Sequence, residues 1–282
     1  MGGVGEDMNW FEAIIIGIVS GLAEFLPVSS AAHQRIFMQI FGCEEAGNLL
    51  KLFVHVGIIL ALFVSSGGFM QKLYKEYQLS NKIRRRRNRV VNFQSVLDIR
   101  FVKTAVVPLL IGYIFYIKTM NWVSSIPIVA LCLMLNGLIL YIPMYLPRGN
   151  KDSRNMSALD GILFGIFSAV SVLPGVSRIG AGCSAAIARG AAPQEAYKWS
   201  LLLSIPALII LICFDLYAVF FGEMSGMDVT MMLKCLLSGV FAYLGASLSI
   251  HLLKSLTVRS GFSGFSYYSW GAALFAFILY LY

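Results

Sequence analysis

Apolar stretches close to the length of a membrane-crossing helix recur six times along this chain, at roughly 50–70, 103–119, 124–146, 197–221, 230–253 and 264–282. An α-helix needs ~20 mostly apolar residues to cross hydrocarbon, and inside it every backbone polar group must be bonded within its own segment. Over 282 residues the chain is 58% hydrophobic and 13% charged, with a mean hydropathy of +0.77, which excludes a soluble domain of ordinary composition. The expected fold class is an all-α polytopic membrane protein, one integral membrane domain over 1–282 with six transmembrane helices. Two further apolar segments, roughly 10–41 and 158–190, are broken in the middle by proline and by polar or glycine-rich residues. Both are read as re-entrant helical hairpins.

Charge orients the chain, because Lys and Arg collect on the cytoplasmic side of membrane segments. The connection at about 71–103 carries Lys72, Lys75, Lys82, Arg84, Arg85, Arg86, Arg87, Arg89, Arg100 and Lys103, and is expected to be cytoplasmic. Threading the spans onward places Arg148, Lys151, Arg154, Arg189, Lys198, Lys254 and Arg259 inside, and Glu6, Asp7, Glu44, Glu45, Glu223 and Asp228 outside. Both termini then lie outside, the first hairpin enters from outside and the second from inside. The net charge of +8 is concentrated in the one basic loop, so Arg84 to Arg87 is read as a topology anchor against anionic lipid, and no nucleic-acid partner is expected. Met1 to Asp7 lacks the basic start of a cleavable signal peptide, so the whole chain is expected to stay in the membrane. Cys43, Cys132, Cys183, Cys213 and Cys235 have no paired spacing and read as small apolar residues rather than disulfides or metal ligands.

Opposed hairpins are the mark of an inverted-topology repeat. Gly17-Ile18-Val19-Ser20 before Leu26-Pro27 resembles Gly165-Ile166-Phe167-Ser168 before Leu173-Pro174, and each hairpin is followed by a proline-bearing span, at Pro108 and Pro206. The expected halves run over about 10–146 and 158–282. Folds of this kind bring two interrupted helices together near the midplane, where freed backbone groups and helix N-termini hold an ion. A polar pocket between the hairpins follows.

The polar residues of the two breaks supply that pocket with chemistry. Glu24 sits among Leu22, Ala23, Phe25 and Leu26, where an ionised carboxylate needs a cation, a metal or a proton. Ser29 and Ser30 follow Pro27, which cannot continue a helix, and His33 would lie one turn beyond Ser30. In the second break Arg178 follows Ser177 and lies among Gly175, Gly180 and Gly182, which let backbone approach a ligand closely. A guanidinium with backbone N–H groups at a broken helix suits a phosphate or a diphosphate headgroup. His55 and His251 lie in apolar spans with no carboxylate nearby in sequence and are read as packing residues. Asp215 is left ambiguous, and Asp160 is read as a helix cap or first-turn acid.

Gly21-Leu22-Ala23-Glu24-Phe25-Leu26-Pro27-Val28-Ser29-Ser30 with His33, and Pro174-Gly175-Val176-Ser177-Arg178 with Gly180, resemble the two motifs of the undecaprenyl-diphosphate phosphatases, the membrane enzymes associated with bacitracin resistance. The resemblance covers nearly the full chain. It implies removal of the terminal phosphate from a C55 polyprenyl diphosphate at the outer face of a bacterial plasma membrane, recycling the carrier lipid of cell-wall synthesis. By this resemblance Glu24 is the essential acid, Ser30 the candidate nucleophile, His33 the catalytic histidine and Arg178 the phosphate-binding arginine, with Ser29, Ser177, Gly175 and Gly180 on the substrate.

Departures from the family pattern fall at the same site. Where the family has a second glutamate one turn before the first, this chain has Ser20; Ala31-Ala32 replaces a Thr-Gly pair, and Ile179-Gly180-Ala181-Gly182 replaces Ser-Gly-x-Thr. The divalent cation that the resemblance implies, Mg²⁺ or Ca²⁺, is left with Glu24 and substrate oxygens as ligands. The alternative function is a non-catalytic relative that binds or flips polyprenyl phosphate. Gly161 and Gly165 are compatible with close helix packing, and a homodimer is among the expected partners.

Overall fold

The computed structural model describes residues 8–42, 48–68, 71, 74–75, 78, 99–119, 125–147, 149–152, 155–222, 228–259 and 262–281. Most of the expected basic loop, including Arg84 to Arg87, lies outside the described residues, as do Glu6, Asp7, Cys43, Glu44, Glu45, Arg148, Arg154 and Glu223. The described elements are helical: α1 (Trp10–Phe25), α2 (Ser30–Phe41), α3 (Asn48–Ser65), α4 (Ile99–Thr119), α5 (Ile126–Tyr141), α6 (Ala158–Ala169), α7 (Arg178–Ala188), α8 (Pro193–Gly222), α9 (Val229–Arg259) and α10 (Ser263–Leu281).

Five of these, α3, α5 with its 3₁₀ extension to Tyr145, α8, α9 and α10, are long and apolar enough to cross a membrane. The expected span at 103–119 is helical throughout and described in part. It belongs to α4, which has 21 residues, but its apolar stretch among the described residues runs only over Lys103–Phe115. Pro108 lies within that helix.

The two broken segments are helix pairs too short to cross. Helices α1 and α2 have 16 and 12 residues, and α6 and α7 have 12 and 11, against the ~20 a crossing needs. Each pair begins with the same device. Asn9 and Glu12 form a capping box at the start of α1, and Ser157 and Asp160 form one at the start of α6, satisfying N–H groups that a helix start leaves free. Asp160 is thus a first-turn acid, and it also accepts from Arg189 Nε at the end of α7.

Helix pairings repeat between the halves. Helix α1 packs along α9 and α6 along α4; α3 packs on α9 and α8 on α4; α5 pairs with α10, and α3 with α8. Exchanging each helix for the one five places later returns the same pairs. A methyl at Gly17 would overlap the Ser238 carbonyl of α9, and one at Gly165 would overlap the Ala105 carbonyl of α4, so both hairpins lie backbone against backbone on their supports. Leu50, Ile58 and Leu62 of α3, Leu109 of α4, Phe164 of α6, and Leu203 and Leu208 of α8 are fully buried. Large apolar side chains such as Leu131, Phe115, Phe221 and Leu274 face outward, as a lipid-facing surface requires. Cys132, Cys183, Cys213 and Cys235 are free thiols.

Candidate functional site

The first break is made by Pro27. Without an N–H it cannot extend α1, and it biases the residue before it to extended backbone; Leu26 has φ −81° and ψ 153°. The chain then turns sharply at Ser29, whose φ of 67° is the only positive value for a non-glycine among the described residues. Such a conformation persists only where its surroundings hold it. Here the Ser29 carbonyl accepts from the His33 N–H at 3.3 Å and from His33 Nδ1 at 2.8 Å. Its hydroxyl oxygen accepts from the Gly175 N–H of the other break at 3.1 Å.

The second break repeats the plan with Leu173 extended before Pro174. Gly175 has φ +138°, and a methyl there would overlap Cys132 and Leu133 of α5, so only glycine lets this loop reach α5. Ser177 caps α7: its Oγ accepts from the Gly180 N–H at 3.1 Å and donates to the Leu26 carbonyl at 3.2 Å. The two breaks, about 150 residues apart in sequence, therefore bond each other directly through Ser29 to Gly175 and Ser177 to Leu26.

Arg178 opens α7 and is 6% exposed. Its guanidinium is engaged on three nitrogens: Nη2 with Glu24 Oε1 of α1, Nη1 with the Tyr113 hydroxyl of α4 at 2.9 Å, and Nε with Ser204 Oγ of α8 at 3.2 Å. The partners are themselves anchored. Ser204 donates to the Ser200 carbonyl at 2.9 Å, and Tyr113 lies 3.4 Å from Ser171 Oγ, which donates to the Ser168 carbonyl at 2.7 Å. A fixed guanidinium at the N-terminus of a helix presents positive charge from two sources, which favours an anion beside it.

The two remaining predicted catalytic groups, Ser30 and His33, are bonded elsewhere than to this pair or to each other. Ser30 Oγ donates to the Ser20 carbonyl at 3.0 Å, one turn before Glu24. Because the Ser29 carbonyl can only accept, His33 Nδ1 bears the hydrogen there, and in the neutral ring Nε2 accepts from the Tyr268 hydroxyl of α10 at 2.7 Å. The two rings also stack at 5.6 Å. Among the described residues no hydrogen bond joins any two of Glu24, Ser30 and His33; the loop N–H groups of Gly175 and Gly180 are likewise spent on Ser29 and Ser177.

Four side chains at the site were not singled out by sequence reasoning: Tyr113, Asn136, Ser204 and Tyr268. Asn136 is fully buried in α5. It donates to the Pro27 carbonyl at 3.0 Å and to Ser269 Oγ at 2.9 Å, and accepts from the Ser177 N–H at 2.9 Å. The signal was present, since Asn136 is a lone amide inside the apolar run Leu131 to Leu140. Tyr113 and Ser204 have no comparable mark beyond lying near Pro108 and Pro206.

Away from this cluster, His55 has a carboxylate partner that is remote in sequence. His55 Nδ1 pairs with Asp215 Oδ2 at 2.6 Å, joining α3 to α8; their separation of 160 residues hid the pairing. His251 bonds the Ser247 carbonyl of its own helix at 2.7 Å.

Comparison with known proteins places these features in a wider set. The family model described as bacitracin resistance protein BacA matches residues 13–275. An undecaprenyl-diphosphatase of Alkaliphilus metalliredigens is 29% identical over 270 residues, covering 93% of this chain and 96% of that protein. Undecaprenyl-diphosphatase 3 of Bacillus cereus is 29% identical over 96% of this chain and 98% of its own length. An undecaprenyl-diphosphatase of Thermosipho africanus is 26% identical over 94% of this chain and 98% of its own.

Proposed function

This chain belongs to the bacitracin resistance protein BacA family, and from that premise we propose that it hydrolyses undecaprenyl diphosphate, or a close polyprenyl diphosphate, to the monophosphate and inorganic phosphate. In this reading it works at the outer face of a bacterial plasma membrane and recycles the carrier lipid of cell-wall synthesis. The observation that carries the proposal is the meeting of Arg178 and Glu24 between two broken helices, inside a molecule whose surface is built for lipid.

Phosphoryl transfer depends mainly on positioning and on neutralising charge. The incoming diphosphate competes with Glu24 for the Arg178 guanidinium, whose other nitrogens stay on Tyr113 and Ser204. In this reading the released carboxylate serves as base toward Ser30, whose hydroxyl is bonded to the Ser20 carbonyl one turn earlier on α1. Glu24 takes a proton from Ser30 Oγ or from a water as that oxygen attacks the terminal phosphorus in line. The bond to the bridging oxygen breaks, and polyprenyl monophosphate leaves. If Ser30 attacks, water hydrolyses the phosphoserine in a second step. In this reading His33, held through Ser29 and Tyr268, helps to stabilise the charge that develops.

Our reading includes no protein-held divalent cation. In support, the Glu24 carboxylate is bonded to a guanidinium, and the residue one turn earlier is Ser20, whose buried hydroxyl has no hydrogen-bond partner among the described residues. Among the described residues no group of three or more His, Cys, Asp or Glu side chains is placed to share an ion. The donor set does not fit a resident Mg²⁺ or Ca²⁺, and no step above runs through one.

The test is phosphate release from C55 diphosphate by purified protein, beside Arg178→Ala and Glu24→Ala. Release abolished by both substitutions supports the phosphatase. No release, with headgroup binding that still depends on Arg178, would replace it by the lipid-carrier reading.

A further inference from the structure

A lone amide in the middle of a membrane helix has to find partners for one acceptor and two donor hydrogens, and Asn136 finds all of them outside α5. Its three bonds go to three separate pieces of the chain: the Pro27 carbonyl in the first break, the Ser177 N–H in the second, and Ser269 Oγ of α10. Pro27 and Ser177 are backbone groups released where the helices were interrupted, so they have no partner within their own helices. The side chain is 0% exposed, which leaves water no access as a substitute.

Two further bonds cross between the breaks, Gly175 to Ser29 and Ser177 to Leu26. Each ends on a hydroxyl that can rotate. The Asn136 amide is planar, and its oxygen and nitrogen hold one backbone group from each break at a spacing set by covalent geometry. Ser177 is the residue before Arg178, and Pro27 lies between Glu24 and Ser30.

We propose that Asn136 is a positioning residue for the hydrolysis: it sets the separation of the two breaks, and through them the placement of Arg178 against Glu24 and Ser30. This inference rests on the phosphatase reading. Asn136→Asp keeps the shape and the acceptor for Ser177 but turns the other oxygen toward the Pro27 carbonyl. Asn136→Leu removes both links. Ser269→Ala removes only the bond to α10 and leaves both links between the breaks.

Two readouts test it. In phosphate release from C55 diphosphate by the folded protein, Asn136→Asp is expected to lower kcat about a hundredfold, the scale of a misplacement near 1 Å, with KM little changed and a lowered melting temperature, while Ser269→Ala stays within about threefold of the parent. In the second, spin labels on exposed Gln39 of α2 and Ala188 of α7, in a background with the native cysteines replaced, report the distance between the hairpins. A narrow distribution in the parent and in Ser269→Ala, broadened or shifted in Asn136→Asp and Asn136→Leu, supports the proposal. Folded Asn136→Asp with parental kcat and an unchanged distance overturns it, as does an equal loss of kcat, KM and stability in Asn136→Asp and Ser269→Ala. If the parent releases no phosphate, the phosphatase reading fails, and the distance measurement still decides whether Asn136 spaces the hairpins.

Discussion

The Arg178 guanidinium meets the Glu24 carboxylate across 154 residues of chain, with side-chain exposures of 5% and 12%. Neither helix could bury its charge alone. Removing one partner of a buried pair is costly because the other is left uncompensated, on the order of 3–5 kcal/mol, whereas the intact pair contributes far less than that.

Arg178→Lys should therefore behave as a severe change. A lysine ammonium cannot reach Glu24, Tyr113 and Ser204 together in the planar arrangement the guanidinium uses. Phosphate release is expected to fall at least about a hundredfold, the size of losing ~3 kcal/mol of charge stabilisation. Turnover within a few-fold of the parent would show that three-point placement of this cation is not needed.

The metal-free reading turns on Ser20, the residue one turn before Glu24. Chelator is expected to leave phosphate release of the parent within about twofold, roughly the change that ~0.4 kcal/mol would give. Ser20→Glu would build a carboxylate pair beside Arg178. That variant should unfold at lower temperature in chelator and regain stability with millimolar Mg²⁺ or Ca²⁺, since a ligand that binds only the folded state stabilises it. Parent protein silenced by chelator and restored by metal would refute the metal-free reading.

Tyr268 holds the ring of His33 from the side opposite Ser29. Tyr268→Phe removes one hydrogen bond while keeping the stacked ring, and turnover is expected to drop about tenfold, the equivalent of ~1.4 kcal/mol. Unaltered kinetics in this variant would mean that the orientation of His33 is set by Ser29 alone.

The His55–Asp215 pair lies outside the proposed chemistry, and its loss should be felt in stability. His55→Ala leaves the buried Asp215 carboxylate without its partner, which is expected to cost about 1–3 kcal/mol. Thermal unfolding in detergent should register it while phosphate release at room temperature stays close to the parent. A large fall in turnover without a change in melting would give the pair a functional role.

Much of this molecule was legible in its sequence, for reasons that are local. Apolar length predicts membrane helices because hydrocarbon tolerates no unbonded backbone, and Pro27 and Pro174 mark the breaks because proline lacks the N–H that a helix needs. Glu24, Ser30, His33 and Arg178 stood out as polar groups in apolar surroundings.

Tertiary structure decided which partner each of these groups has. That Arg178 is shared among α1, α4 and α8, that His33 turns to Tyr268, and that Asp215 answers His55 depends on residues 26 to 235 positions apart being brought side by side. Sequence alone dictates that a buried charge or amide must be satisfied, because the energy of leaving it bare is a property of the group and its surroundings. The identity of the group that satisfies it is a matter of distance, and distance between remote residues exists only once the helices have packed.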